Sequence, residues 1–170
     1  SISNRVCYCL HNSFPYSSGG YATRGHGIAK GLQNNEMDVI CITRPGFPYD
    51  VQETPNSDQE EFHEIDGVQY FHIAEPLRRG RTIPNYIKMA APVYREQFIR
   101  HRPAFVLAAS NYINAIPAML AAKSLGIPFF YEVRGFWEIT RISREPKFND
   151  SAQFKNMVNF ERFTAENSDH

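Results

Sequence analysis

"FVLAA" at Phe105–Ala109 and "FFYEV" at Phe129–Val133 are short continuous apolar runs, not alternating ones. A strand with one wet face alternates apolar and polar side chains, whereas a continuous run needs cover on both faces. Between the two lies "NAIPAMLAAKSLG", which reads as a helix with an early proline and Gly126 as its terminator. Two covered strands joined by a helix form the pattern of a parallel sheet. Right-handed crossovers then predict an α/β fold: an open, doubly wound, mostly parallel sheet with helices on both faces.

The rest of the chain fits that frame. Arg5–Leu10 reads as a first strand, and a helix over about Tyr21 to Asn35 carries Ile28 and Leu32 four residues apart. The small residues Ala22, Gly25 and Ala29 would let this helix lie close on the sheet. "DVICIT" is a second, β-branched strand. A long Pro-rich, acidic surface loop follows. Asp66-Gly67 then marks a tight hairpin turn feeding a third strand over Val68–Ile73. A helix is expected from Pro84 to about Arg100, with Pro92 kinking or interrupting it. A last helix spans Ser151 to about Glu166.

With 170 residues and 42% hydrophobic content, the chain is expected to form a single domain over 1–170. Lys+Arg and Asp+Glu are both 18, so net charge gives no reason to expect nucleic-acid binding. No apolar stretch reaches the roughly 20 residues of a transmembrane segment. Cys7, Cys9 and Cys41 lie in strands and read as reduced core residues of a cytoplasmic protein. No histidine pair has metal-ligand spacing on a helix, so no metal is assigned.

Ligands of open parallel sheets bind beyond the carboxyl ends of the strands. The loops there are His11–Gly20, Arg44–Asp50, Ser110–Asn114 and Arg134–Glu138. Gly19 and Gly20 stand between the first strand and the first helix. They are either a turn needing positive φ or a place where a phosphate meets the amides of a helix start. In "EVRGFWEITR", Arg134 and Trp137 could hold a phosphate and a sugar, or Arg134 could pair with Glu132 or Glu138. Asn111 could bind a sugar hydroxyl or cap the next helix, and Asn114 reads as a cap. "RRGR", at residues 78–81, is a surface loop or a small patch for a phosphorylated acceptor. Gly25–Gly31 resembles a dinucleotide motif but falls inside the helix. An NADP-binding oxidoreductase domain, with Arg44 on the 2′-phosphate, is therefore the alternative. A non-catalytic interaction domain is the third reading.

"SFPYSSGGYATRGHGIAKGL", "ASNYINAIPAMLAAKSLGIPFFYEVRGFWE" and "ERFTAENSDH" together resemble the N-terminal domain of family 4 glycosyltransferases. That resemblance implies half of a GT-B fold, in which two Rossmann-like domains face a cleft. It implies transfer of a sugar, with retention, from a nucleotide-diphosphate sugar to a glycan, lipid or small-molecule acceptor. No cofactor or metal is implied. The donor would be shared with a C-terminal domain not included in these residues, and this stretch alone is expected to be inactive. Substrate contacts carried over, or inferred beside them, are Gly19, Gly20, Tyr21, Arg24, Asn111, Arg134, Gly135 and Glu138. Arg134 is a weak catalytic candidate. Many members carry histidine where Asn111 and Arg134 stand, so a histidine role does not transfer. A lipid-linked acceptor would bring peripheral contact with the inner membrane face.

Overall fold

A computed structural model describes residues 1–51, 60–135 and 144–170. Six strands form one sheet in the order β3-β4-β2-β1-β5-β6. They are β1 (Arg5–Leu10), β2 (Asp38–Thr43), β3 (Phe62–Ile65), β4 (Val68–Phe71), β5 (Phe105–Ala109) and β6 (Phe129–Glu132). Every pairing is parallel except β3 with β4. That hairpin turns at Asp66 and Gly67, both at positive φ, as its Asp-Gly signal predicts.

Side chains of a strand alternate between faces, and β1 shows how the two layers are built. Val6, Tyr8 and Leu10 face α1 (Gly20–Asn34) in a cluster with Ala29, Val39, Cys41 and Tyr70. Cys7 and Cys9 face the opposite layer, with Tyr94 and Phe98 of α2 (Ile83–His101) and the alanines of α3 (Tyr112–Ser124). Ala22, Gly25 and Ala29 are the buried residues of α1. A fourth helix, α4 (Ala152–Asn167), lies outside α2 and α3, placing Met157 and Phe160 against Tyr86, Ile87 and Tyr112. The three cysteines are free and buried.

Three local expectations are corrected. Pro92 does not interrupt α2, which runs from Ile83 to His101. Pro92 and Lys88 lie on the exposed side, so the carbonyl deprived of its donor faces water. Asn111, not Asn114, caps α3, accepting from the Ile113 amide at 3.1 Å. Asn114 lies within the helix, fully buried. Strand β6 stands last in the six-stranded order and is only half-buried beyond Phe129, and Val133 after it is 48% exposed. Its outer backbone pairs with the chain end: the Tyr131 amide donates to His170 and the Asp169 amide to Phe129.

Candidate functional site

The carboxyl ends of β1, β5 and β6 meet at the start of α1. Gly19 is the N-cap, with extended backbone, and no side chain caps the helix. The first amides of an α-helix have no partner within it, and the helix dipole makes this end positive. Neither glycine is at positive φ, so a strained turn does not account for the pair. A Cβ on Gly20 would meet nothing within 4 Å, and one on Gly19 only Ser17 Oγ at 3.9 Å. Packing does not demand glycine at either position. What the pair provides is an open approach to the helix end.

A cavity of about 230 Å³ opens there, lined by Gly20, Tyr21, Arg24 and Arg134. Gly135 closes on the same place, since a Cβ on it would come 3.3 Å from the Tyr21 hydroxyl. The chain thus brings five of the sequence-derived residues together, and Gly19 caps the helix beside them. Asn111 stands apart, 6% exposed, with its side-chain oxygen engaged in capping α3. Glu138, with Trp137, lies outside the described residues.

Arg134 has a different setting from that of a free anion ligand. Its side chain is 2% exposed. Its Nε donates to Glu132 Oε1 at 3.0 Å and its Nη1 to the Tyr21 carbonyl at 2.7 Å. Nη2 donates to Glu132 Oε2 at 3.1 Å and to the Tyr8 hydroxyl. The main-chain amide of Arg134 donates to Ser110 Oγ at 3.0 Å, tying this loop to the one after β5. Arg134 therefore underpins the first turn of α1. Gly25 lies beside it and close on the sheet: a Cβ there would touch Nη2 at 3.5 Å and crowd Leu10 at 3.2 Å.

Glu132, marked by the sequence only as a possible partner of Arg134, is the hub of this cluster. It also accepts from the Tyr8 hydroxyl at 2.5 Å and pairs with Arg24 Nε at 3.2 Å. Burial, against the pull of Arg134, pushes the Tyr8 phenol far above its usual range and keeps it a neutral donor. Its sequence signal was faint: one acid closing an otherwise apolar strand.

The loop after β2 is a buried plug. Arg44 and Asp50 form a bidentate pair at 2.7 and 2.9 Å, with side chains 4% and 2% exposed. Gly46, at φ +90°, brings the turn so near Pro76 that a Cβ would lie 2.7 Å from its carbonyl oxygen. Arg44 has both terminal nitrogens committed and does not present them to a 2′-phosphate, which removes the residue on which the NADP alternative leaned. Burial, with Arg44 and Arg78 nearby, holds the His11 imidazole neutral, down to about 3. Among the described residues no group of three or more His, Cys, Asp or Glu could hold a metal ion.

A family model described as a glycosyl transferase 4-like domain matches residues 19–170. The chain belongs to that family. No curated protein matches the chain significantly. Among solved structures, MurG of Acinetobacter baumannii is similar with a TM-score of 0.52 and 21% identity, over 83% of this chain and 38% of that one. A putative UDP-N-acetylglucosamine 2-epimerase from Listeria monocytogenes is similar at a TM-score of 0.55 and 11% identity, over 99% of this chain and 39% of that one. At such identities the likeness is one of fold. This glycosyl transferase 4-like domain spans under two-fifths of the length of either structure. Among the described residues no helix is long and apolar enough to cross a membrane.

Proposed function

We propose that this glycosyl transferase 4-like domain is the acceptor-side half of a retaining glycosyltransferase and receives the diphosphate of a nucleotide-sugar donor at the start of α1. The uncapped helix end, opening beside Gly20 into a cavity lined by Tyr21, Arg24 and Arg134, carries the reading. Negative charge grows on the leaving diphosphate as the sugar departs. Fixed amides and an arginine aimed at that charge favour the transition state more than the ground state. In this scheme Arg24 meets the anion, Arg134 holds the helix turn that presents the amides, and no metal or cofactor takes part. The sugar and nucleotide would be held by a second domain across the cleft. The acceptor would enter over this one, in the cytoplasm or at the inner membrane face.

Gly20→Val tests this. The backbone at Gly20 is helical and the space around its missing Cβ is empty, so valine fits the folded chain. Its branched side chain would stand in front of the amides. In the natural enzyme, transfer from a nucleotide-sugar panel is expected to fall at least about a hundredfold, in the range seen when an oxyanion donor is lost. The melting temperature should stay within a few degrees. Wild-type turnover in Gly20→Val would end the reading.

A further inference from the structure

Arg24 and Arg134 flank one carboxylate, but they are held very differently. Arg134 is enclosed, with Nε, Nη1 and Nη2 all donating. Arg24 is 53% exposed, and its one contact with Glu132 is an ion pair, Nε lying 3.2 Å from Oε1. Among the described residues nothing engages its Nη1 or Nη2. Glu132 is itself fixed from below by the Tyr8 hydroxyl and Arg134, so it cannot follow Arg24 if that side chain swings away. An arginine paired through Nε keeps its two terminal nitrogens as a planar fork, the geometry that matches phosphoryl oxygens.

We propose that Glu132 is a positioning residue that aims the Arg24 guanidinium over the mouth of the α1 cavity, making Arg24 the specificity-determining cation for a diphosphate seated there. The inference rests on the reading of this cavity as the diphosphate site. Two guanidinium groups share one carboxylate, so the cluster keeps an excess positive charge facing the ligand. The buried arginine supplies rigidity and the exposed one supplies contact. A free arginine on a solvent-facing helix samples many rotamers and loses that freedom on binding. The ion pair with Glu132 restricts part of this freedom before the ligand arrives.

The test titrates the protein with inorganic pyrophosphate, following the amide signals of Gly20 and Tyr21 and the Nε signal of Arg24 by NMR. Arg24→Gln and Glu132→Gln are each expected to weaken binding on the order of tenfold. Arg24→Lys should bind as poorly as Arg24→Gln, because a compact ammonium cannot hold Glu132 and a phosphoryl group in a fork. The double variant Arg24→Gln/Glu132→Gln should be no weaker than Arg24→Gln, since Glu132 acts through Arg24. Wild-type affinity in Arg24→Lys would mean that charge alone suffices, and would overturn the proposal. So would a further loss when Glu132→Gln is added to Arg24→Gln, which would place its action through Arg134 and the helix. If Glu132→Gln does not fold, the exposed Arg24→Lys and Arg24→Gln pair decides. Absence of any pyrophosphate effect on wild type would remove this proposal and the diphosphate reading together. Wild-type binding with unaltered variants would remove the positioning role alone.

Discussion

Asn114 ties the carboxyl ends of β1 and β5 together. Its amide nitrogen donates to the Cys9 and Ala109 carbonyls at 2.9 and 3.0 Å, and its oxygen accepts from the Tyr94 hydroxyl at 2.5 Å. All of this is fully buried, where a lost partner costs its full desolvation. Asn114→Leu strands two carbonyls and a hydroxyl. It is expected to destabilise the fold by about 2–4 kcal/mol, from roughly 1–3 kcal/mol per unsatisfied group with partial relaxation. Urea unfolding measures this, and a loss below about 1 kcal/mol would show that the network relaxes or admits water. The sequence showed two asparagines at the start of α3 but not which one lay on the sheet side, because the cap position depends on where the helix begins. Gly25 was legible as a packing glycine. That its neighbour would be the guanidinium of Arg134, 109 residues away in sequence, was not. A side chain's partner across a sheet depends on strand order, which no local pattern contains.

At the scale of elements, the loop from His11 to Gly20 leans on the β3–β4 hairpin. The Tyr16 ring meets His63 and His72 at 5.3 and 5.0 Å, and the Tyr16 hydroxyl bonds His63 Nε2 at 3.0 Å. His72 is 1% exposed, with Nδ1 at 3.0 Å from Thr43 Oγ1. Burial, with His63 beside it and against a bond with the Phe14 backbone, lowers the His72 pKa to about 4. An imidazole depressed in the folded state contributes its full stability above the unfolded value near 6.5. That stability is lost as pH falls from there to about 4. Below pH 6.5 the slope should approach about 1.4 kcal/mol per pH unit for each such histidine, and His11 adds a second. Urea melts from pH 7 to 4.5 should show this decline, and His72→Gln should flatten part of it. An equal slope in His72→Gln would free His72 of the role. The sequence marked the loop as a candidate site by its place after β1. Its anchoring by aromatic and histidine rings was not legible, because His63 comes from β3 and His72 from the residue just past β4.

For the whole molecule, covered strand runs and helical spacing sufficed to predict a parallel, doubly wound sheet. They overstated the cover on β6, which beyond Phe129 is only half-buried, because an apolar run does not report how far the layers on its two faces extend. The proposed site lies at the rim of this sheet, on exposed Gly20 and half-exposed Arg24. A donor seated there touches one wall. Its sugar would be neither oriented for attack nor shielded from water, and both are needed for transfer at a useful rate. The 170-residue chain is therefore expected to bind pyrophosphate weakly and to release no nucleoside diphosphate above background from a mixture of nucleotide sugars. The same residues joined to a second α/β domain of about 150–200 residues, the common domain size, should turn over. The two proteins are to be assayed side by side for released nucleoside diphosphate. Robust turnover by the 170 residues alone would show that one wall suffices, and the shared-cleft mechanism would fall with it.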